Sequence, residues 1–258
     1  MSEELLYKVK DSTAFLTINR ESKRNAISLE MISAFLDYLK EAGRDAEVHA
    51  VCITGSGEKA FCSGADLATA LADGDGKRES GAKTYAELLK RMARFGKPTL
   101  ARVNGPCLAG GLGLMLSCDI IIARNDAFFC TPEVNVGIFP MMVGALLFRN
   151  VSRKKTMEMV LTGRRVLARE AERIGLITRT VEPEYLDEEV RETLKRLISK
   201  SPIGMRIGKE AFHTMSDMPF DEAVDYLCEA FCKVTATEDA MEGMRAFMEK
   251  REPKFKGG

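Results

Sequence analysis

The chain has 258 residues, 45% of them apolar and 29% charged, and its 38 basic and 38 acidic side chains cancel to a net charge of zero. That is the make-up of a soluble globular protein long enough to bury a sizeable core. There is no basic stripe for nucleic acid, no apolar run near the roughly 20 residues of a membrane-spanning helix, and no signal pattern in the acidic start Met1-Ser2-Glu3-Glu4. These features exclude nucleic acid and membrane as expected partners and leave a small molecule, handled by a cytoplasmic protein. The seven cysteines, an odd number and mostly inside apolar runs, read as reduced thiols. With His49 and His213 as the only histidines, no metal-ligand cluster is expected.

In chain order, Ala14 to Ile18 predicts a strand, and Ser28 starts a helix whose apolar face is Leu29, Ile32, Phe35, Leu36 and Leu39, stopping at Gly43. Val51 to Thr54 is the next strand. Asp73-Gly74-Asp75-Gly76 reads as a flexible loop before a helix that ends near Gly96. Pro98 breaks that helix, and strands follow at Thr99 to Val103 and Asp119 to Ala123. From Arg153 the pattern is helical almost throughout: one helix closes at Val160 to Gly163, another covers Glu170 to Ile174, and three longer amphipathic helices fill Leu186 to Glu249. Ser201 before Pro202 is placed to cap one of them. Strands alternating with crossovers argue an α/β fold, and no fixed-period repeat is visible.

Two loops carry the chemistry. Phe61-Cys62-Ser63-Gly64-Ala65-Asp66-Leu67 follows the Val51 to Thr54 strand, and Asn104-Gly105-Pro106-Cys107-Leu108-Ala109-Gly110-Gly111 follows the Thr99 to Val103 strand. Each runs from a strand toward a helix start, where unpaired N–H groups attract negative charge. Two such donors aimed at one point make an oxyanion hole for a developing enolate. Either loop alone is better explained by chain reversal at its glycines. Thr131-Pro132-Glu133 comes later, among Phe128, Phe129, Val134, Val136 and Ile138. An isolated glutamate is usually a solvated charge, but an apolar pocket would raise the Glu133 pKa toward a range useful for proton transfer.

The two loops in order, followed by Thr131-Pro132-Glu133 and Val136-Gly137-Ile138-Phe139-Pro140, resemble the crotonase (enoyl-CoA hydratase/isomerase) family over Asn19 to Lys250. The resemblance implies a spiral of strand-strand-helix units over 1–200, then a helical trimerisation region over 201–258, in a homotrimer or homohexamer. It implies an acyl-CoA substrate, with coenzyme A part of the substrate and no separate cofactor. It puts the oxyanion donors on the Ala65 and Gly110 N–H groups and proton transfer on Glu133. For coenzyme A it implies Lys23 and Arg24 near the pantetheine and phosphates, Lys59 on a phosphate, and Ser63, Asp66 and Leu67 lining that end of the site. Phe247 and Lys250 would cover the adenine of a neighbouring subunit. Surface charge is the plain alternative for the lysines and the arginine, and helix-face packing for Phe247.

Hydratases of the family carry a first glutamate three residues after the second donor glycine, and this chain has Gly113 there. Adding water across a double bond works best with two acid/base groups, whereas moving the bond needs only one carboxylate. The sequence is therefore read as a 3-enoyl-CoA to 2-enoyl-CoA isomerase. A hydratase or other lyase or hydrolase of the family is the alternative, and a non-catalytic acyl-CoA-binding protein is a second one. Met141 and Met142 stand where many members have a glycine-rich turn, and either reshape the acyl pocket or fill the core.

Overall fold

The computed structural model describes residues 3–66 and 75–258. Its main sheet has the strand order β1-β2-β3-β4-β6-β9, with β1 Leu5–Lys10, β2 Thr13–Ile18, β3 Ala50–Gly55, β4 Thr99–Val103, β6 Ile120–Arg124 and β9 Arg179–Val181. The β1–β2 pair is an antiparallel hairpin, and every later pairing is parallel. A second, three-stranded sheet orders β5 Cys107–Leu108, β7 Phe128–Cys130 and β8 Val166–Leu167.

The period-2 alternation of strand side chains divides the core between the two faces of the main sheet. Val51 and Ile53 of β3 and Ala101 and Val103 of β4 join the larger cluster with Leu16, Ile18 and Phe35. Their alternates Ala50, Cys52 and Leu100 pack with Ile122 against Leu186, Val190 and Leu194 of α7 (Leu186–Ile198). Strands covered on both faces read as near-continuous apolar runs, which is how β3, β4 and β6 appear in the sequence.

The remaining helices are α1 Leu29–Arg44, α2 Asp75–Ala93, α3 Gly110–Leu116, α4 Met141–Asn150, α5 Arg153–Thr162, α6 Ala168–Arg173, α8 Pro202–Met215, α9 Phe220–Thr235 and α10 Glu238–Met248. Ser28 caps α1 by accepting the Met31 N–H at 3.1 Å, and Ser201 caps α8 by accepting the Gly204 N–H at 3.0 Å. Ser201 also donates to Asp239 at 2.7 Å, a buried carboxylate that the Lys256 N–H reaches at 2.7 Å. The C-terminal tail is thereby tied to α8 and α10, which pack with α9.

Several expectations change. The stretch from Leu186 to Glu249 holds four helices rather than three, because Pro219 and the Thr237 cap divide what amphipathic periodicity runs together. Asp75 and Gly76 belong to α2, while residues 73 and 74 of the expected loop lie outside the described residues. Strand β1 was not read from the sequence, nor were β5, β7, β8 and β9, each of only two or three residues. Among the described residues no helix is long and apolar enough to cross a membrane.

Candidate active site

Three short segments lie side by side and carry the site. Cys62 pairs with Cys107 in a parallel bridge, and Cys107 pairs in parallel with Phe129. Backbone bonds stitch the row together, from the Leu108 N–H to the Cys62 carbonyl at 2.9 Å and from the Ala109 N–H to the Cys130 carbonyl at 3.0 Å. Because the segments run the same way, Ala65, Gly110 and Glu133, three or four residues past those paired positions, all emerge at one end. All three line a cavity of ≈ 670 Å³.

The direction of each donor follows from its neighbours. The Ile27 N–H donates to Gly64 O at 2.7 Å, and Ile27 O accepts from the Asp66 N–H at 2.9 Å. A parallel bridge of this kind turns the intervening Ala65 N–H to the opposite side, toward the cavity. Gly110 opens α3, so its N–H has no acceptor within the helix. Among the described residues neither N–H meets a protein acceptor. The peptide before Gly110 is held by Ala109 at φ 50 and ψ −127, a conformation that costs an alanine on the order of 1–3 kcal/mol.

Glu133 sits in a 3₁₀ turn, Pro132–Val136, that Gly137 ends in a left-handed conformation. Its Oε2 is buried and, among the described residues, has no hydrogen-bond partner, and burial raises its pKa above the ordinary carboxylate value. A carboxylate oxygen buried without a partner favours the protonated form, which suits the group to take up a proton. Asp66 also lines the cavity, but its carboxylate takes Arg20 and Lys23, each at 2.9 Å. Those ion pairs bind the 20–26 segment to the loop carrying Ala65.

The other residues singled out from the sequence fall in two places. Ser63 lines the cavity, its N–H donating to Arg24 O at 3.1 Å. Lys23 lies against Asp66, and Arg24 and Lys59 are exposed nearby along the chain. Phe247 is 85% exposed, and neither it nor Lys250, just past the end of α10, lines the cavity of its own chain. Leu67 lies outside the described residues. Met141 and Met142 both line the cavity and neither is buried, so they shape the pocket rather than fill the core.

Sequence reasoning missed Tyr85. It comes from α2, lines the cavity, is buried, and donates its hydroxyl hydrogen bond to the Gly110 carbonyl. Nothing in the residue pattern marks it, because it is one apolar-face position of a helix 25 residues before Gly110.

The family model described as enoyl-CoA hydratase/isomerase matches residues 8–258. The chain is 36% identical to carnitinyl-CoA dehydratase of Escherichia coli K12 over 266 residues, which span 100% of both chains. It is 34% identical to the short-chain-enoyl-CoA hydratase of Clostridium acetobutylicum over 239 residues, 92% of each. The crystal structure of an enoyl-CoA hydratase from Bacillus anthracis superposes with a TM-score of 0.96 at 29% identity, covering 99% of this chain and 100% of that one.

Proposed function

This chain belongs to the enoyl-CoA hydratase/isomerase family, and within it we propose that the enzyme converts a 3-enoyl-CoA into a 2-enoyl-CoA. One observation carries the proposal. The acids among the described lining residues are Asp66, already paired with two cations, and Glu133, which no described cation pairs and whose Oε2 is buried.

The Glu133 carboxylate removes a proton from C2 of the thioester. The electron pair moves onto the thioester oxygen, and the Ala65 and Gly110 N–H groups hold that charge. Conjugation with the C3–C4 double bond spreads the charge to C4, and protonated Glu133 returns the same proton there. The double bond then lies between C2 and C3, and nothing is gained or lost. Preorganised backbone donors of this kind are each worth about 10²–10³ in rate. The raised pKa suits both halves of the cycle, since the group must first accept and then release a proton.

Coenzyme A would extend from the cavity past Ser63 toward Lys23, Arg24 and Lys59. Phe247 and Lys250 would reach the adenine of an adjacent subunit. The exposed Phe220, Phe231 and Phe247 of α9 and α10 support an assembly through the C-terminal helices, a trimer or a pair of trimers.

The names of the relatives favour a second reading, hydration of a 2-enoyl thioester. Matched 2-enoyl and 3-enoyl thioesters offered to the purified protein separate the two. Conversion of the 3-enoyl compound without water addition supports the isomerase. Rapid hydration of the 2-enoyl compound supports the hydratase.

A further inference from the structure

Gly113 lies one helical turn past Gly110 on α3, and its missing side chain is the departure from the two-glutamate pattern. The space is not empty. A Cβ on Gly113 would stand 2.1 Å from the Tyr85 hydroxyl, 3.2 Å from its Cζ and 3.2 Å from Leu89 Cδ2. A contact of 2.1 Å is far inside van der Waals distance, so residue 113 and Tyr85 cannot both keep a side chain there. The same hydroxyl donates to the Gly110 carbonyl, and a Cβ on Gly110 would stand 3.5 Å from the Tyr85 hydroxyl oxygen and 3.7 Å from its Cζ.

We propose that Tyr85 is a positioning residue of the active site, whose hydroxyl takes the space left by Gly113 in order to hold Gly110 with its N–H aimed at the thioester oxygen. Two features of the backbone call for such a holder. Ala109 keeps a strained φ of 50, and strain persists only where surrounding contacts over-determine it. Gly110 and Gly111 follow it, so no side chain of that turn anchors the donor. Burial raises the Tyr85 pKa well above the usual phenol value, which keeps the hydroxyl a neutral donor over the working range. Gly113 and Tyr85 thus form a complementary pair, and a glutamate at 113 would displace the group that aims the second oxyanion donor. The inference deepens the single-carboxylate reading of the site and rests on it for the reaction, but its geometry does not depend on which double bond moves.

The test is a double-mutant cycle of Y85F, G113A and Y85F/G113A, read two ways. The first readout is the absorbance shift of a conjugated thioester, cinnamoyl-CoA, on binding; it reports polarisation of the carbonyl by the two donors and needs no turnover. The second is kcat and KM for 3-hexenoyl-CoA. Y85F keeps the ring, so cinnamoyl-CoA affinity should stay within about threefold, while the red shift shrinks and kcat falls about tenfold at little-changed KM. G113A should do the same by pushing the hydroxyl away, and should add little on the Y85F chain, because contacting residues are non-additive. A full red shift and full kcat in Y85F, or additive losses in the double variant, overturns the proposal. A wild-type protein that fails to isomerise while Y85F still loses the red shift sinks the isomerase reading and leaves the positioning role standing.

Discussion

A Cβ on Gly64 would stand 2.6 Å from the Cβ of Ala109, so the residues just before the two donors pack face to face. The same Cβ would come within 3.3 Å of the Gly110 nitrogen. The two halves of the proposed oxyanion hole therefore share one contact. Gly64 also has φ +92, where any side chain is strained. Gly64→Ala should lower kcat by about 10² or more, the loss of one donor. It should also destabilise the fold by about 1–3 kcal/mol through backbone strain and contact. Steady-state kinetics beside urea unfolding measures both; a variant with wild-type kcat would show that the loops are not coupled in this way.

Glu133→Gln should keep acyl-CoA binding and lower turnover by at least about 10², because only the proposed proton carrier changes. The stability effect has a definite sign. The folded pKa of Glu133 is raised by burial above the ordinary glutamate value, so the native state binds the proton more tightly than the unfolded chain. Stability is then lost as pH rises from about 4.5 through the folded pKa, where the buried group must ionise. The glutamine variant escapes that loss. Its Tm advantage over the parent should vanish in acid and grow toward neutral pH, while kcat/KM of the parent rises with pH over the same window. An advantage confined to acid would contradict the burial of Glu133.

Asp66 sits next to Ala65 and takes both Arg20 and Lys23 at 2.9 Å, with the Asp66 and Arg20 side chains 7% and 9% exposed. Breaking a buried pair from one side leaves an uncompensated charge and costs about 3–5 kcal/mol. Glu4 stays at 2.8 Å from Arg20, so Asp66→Asn should cost toward the lower end, about 3 kcal/mol. It should also raise KM by loosening the 20–26 segment against the Ala65 loop. Unfolding within about 0.5 kcal/mol of wild type would mean the pair is no more than a surface bridge.

The residues most visible in the sequence are those whose constraint is local. Gly64, Gly110 and Pro132 mark their turns by backbone chemistry, and β3, β4 and β6 declare themselves as apolar runs. Ser201 announces its cap by type and position. What stayed hidden depends on contacts across the chain. Strands β5 and β7 are two and three residues long, yet they align Gly110 with Glu133. Nothing local marks Tyr85, which matters only because α2 lays it over Gly110 and Gly113. Asp66 reads as part of the coenzyme A end of the site, but the two cations from the 20–26 segment that its carboxylate holds are not legible, because that pairing spans more than 40 residues.

Phe247 is 85% exposed and makes little of its own chain's core, so Phe247→Ala should leave the fold of each subunit intact. If it covers the adenine of a neighbouring subunit, the variant should bind coenzyme A more weakly by roughly threefold or more, a loss of stacking on the order of 0.5–1.5 kcal/mol. Calorimetric titration with coenzyme A, with the oligomer followed by sedimentation velocity, checks both. Unchanged affinity in an unchanged assembly would place Phe247 outside the site.

In the proposed isomerisation one carboxylate carries one proton from C2 to C4 across an enolate held by the Ala65 and Gly110 N–H groups. A 3-enoyl thioester deuterated at C2, turned over in ordinary water and examined by NMR, follows that proton. The expected product is a 2-enoyl thioester with deuterium delivered to C4, and the Glu133→Gln variant should lose it. A 3-hydroxyacyl thioester as the first product, or undiminished turnover without the Glu133 carboxylate, would contradict it.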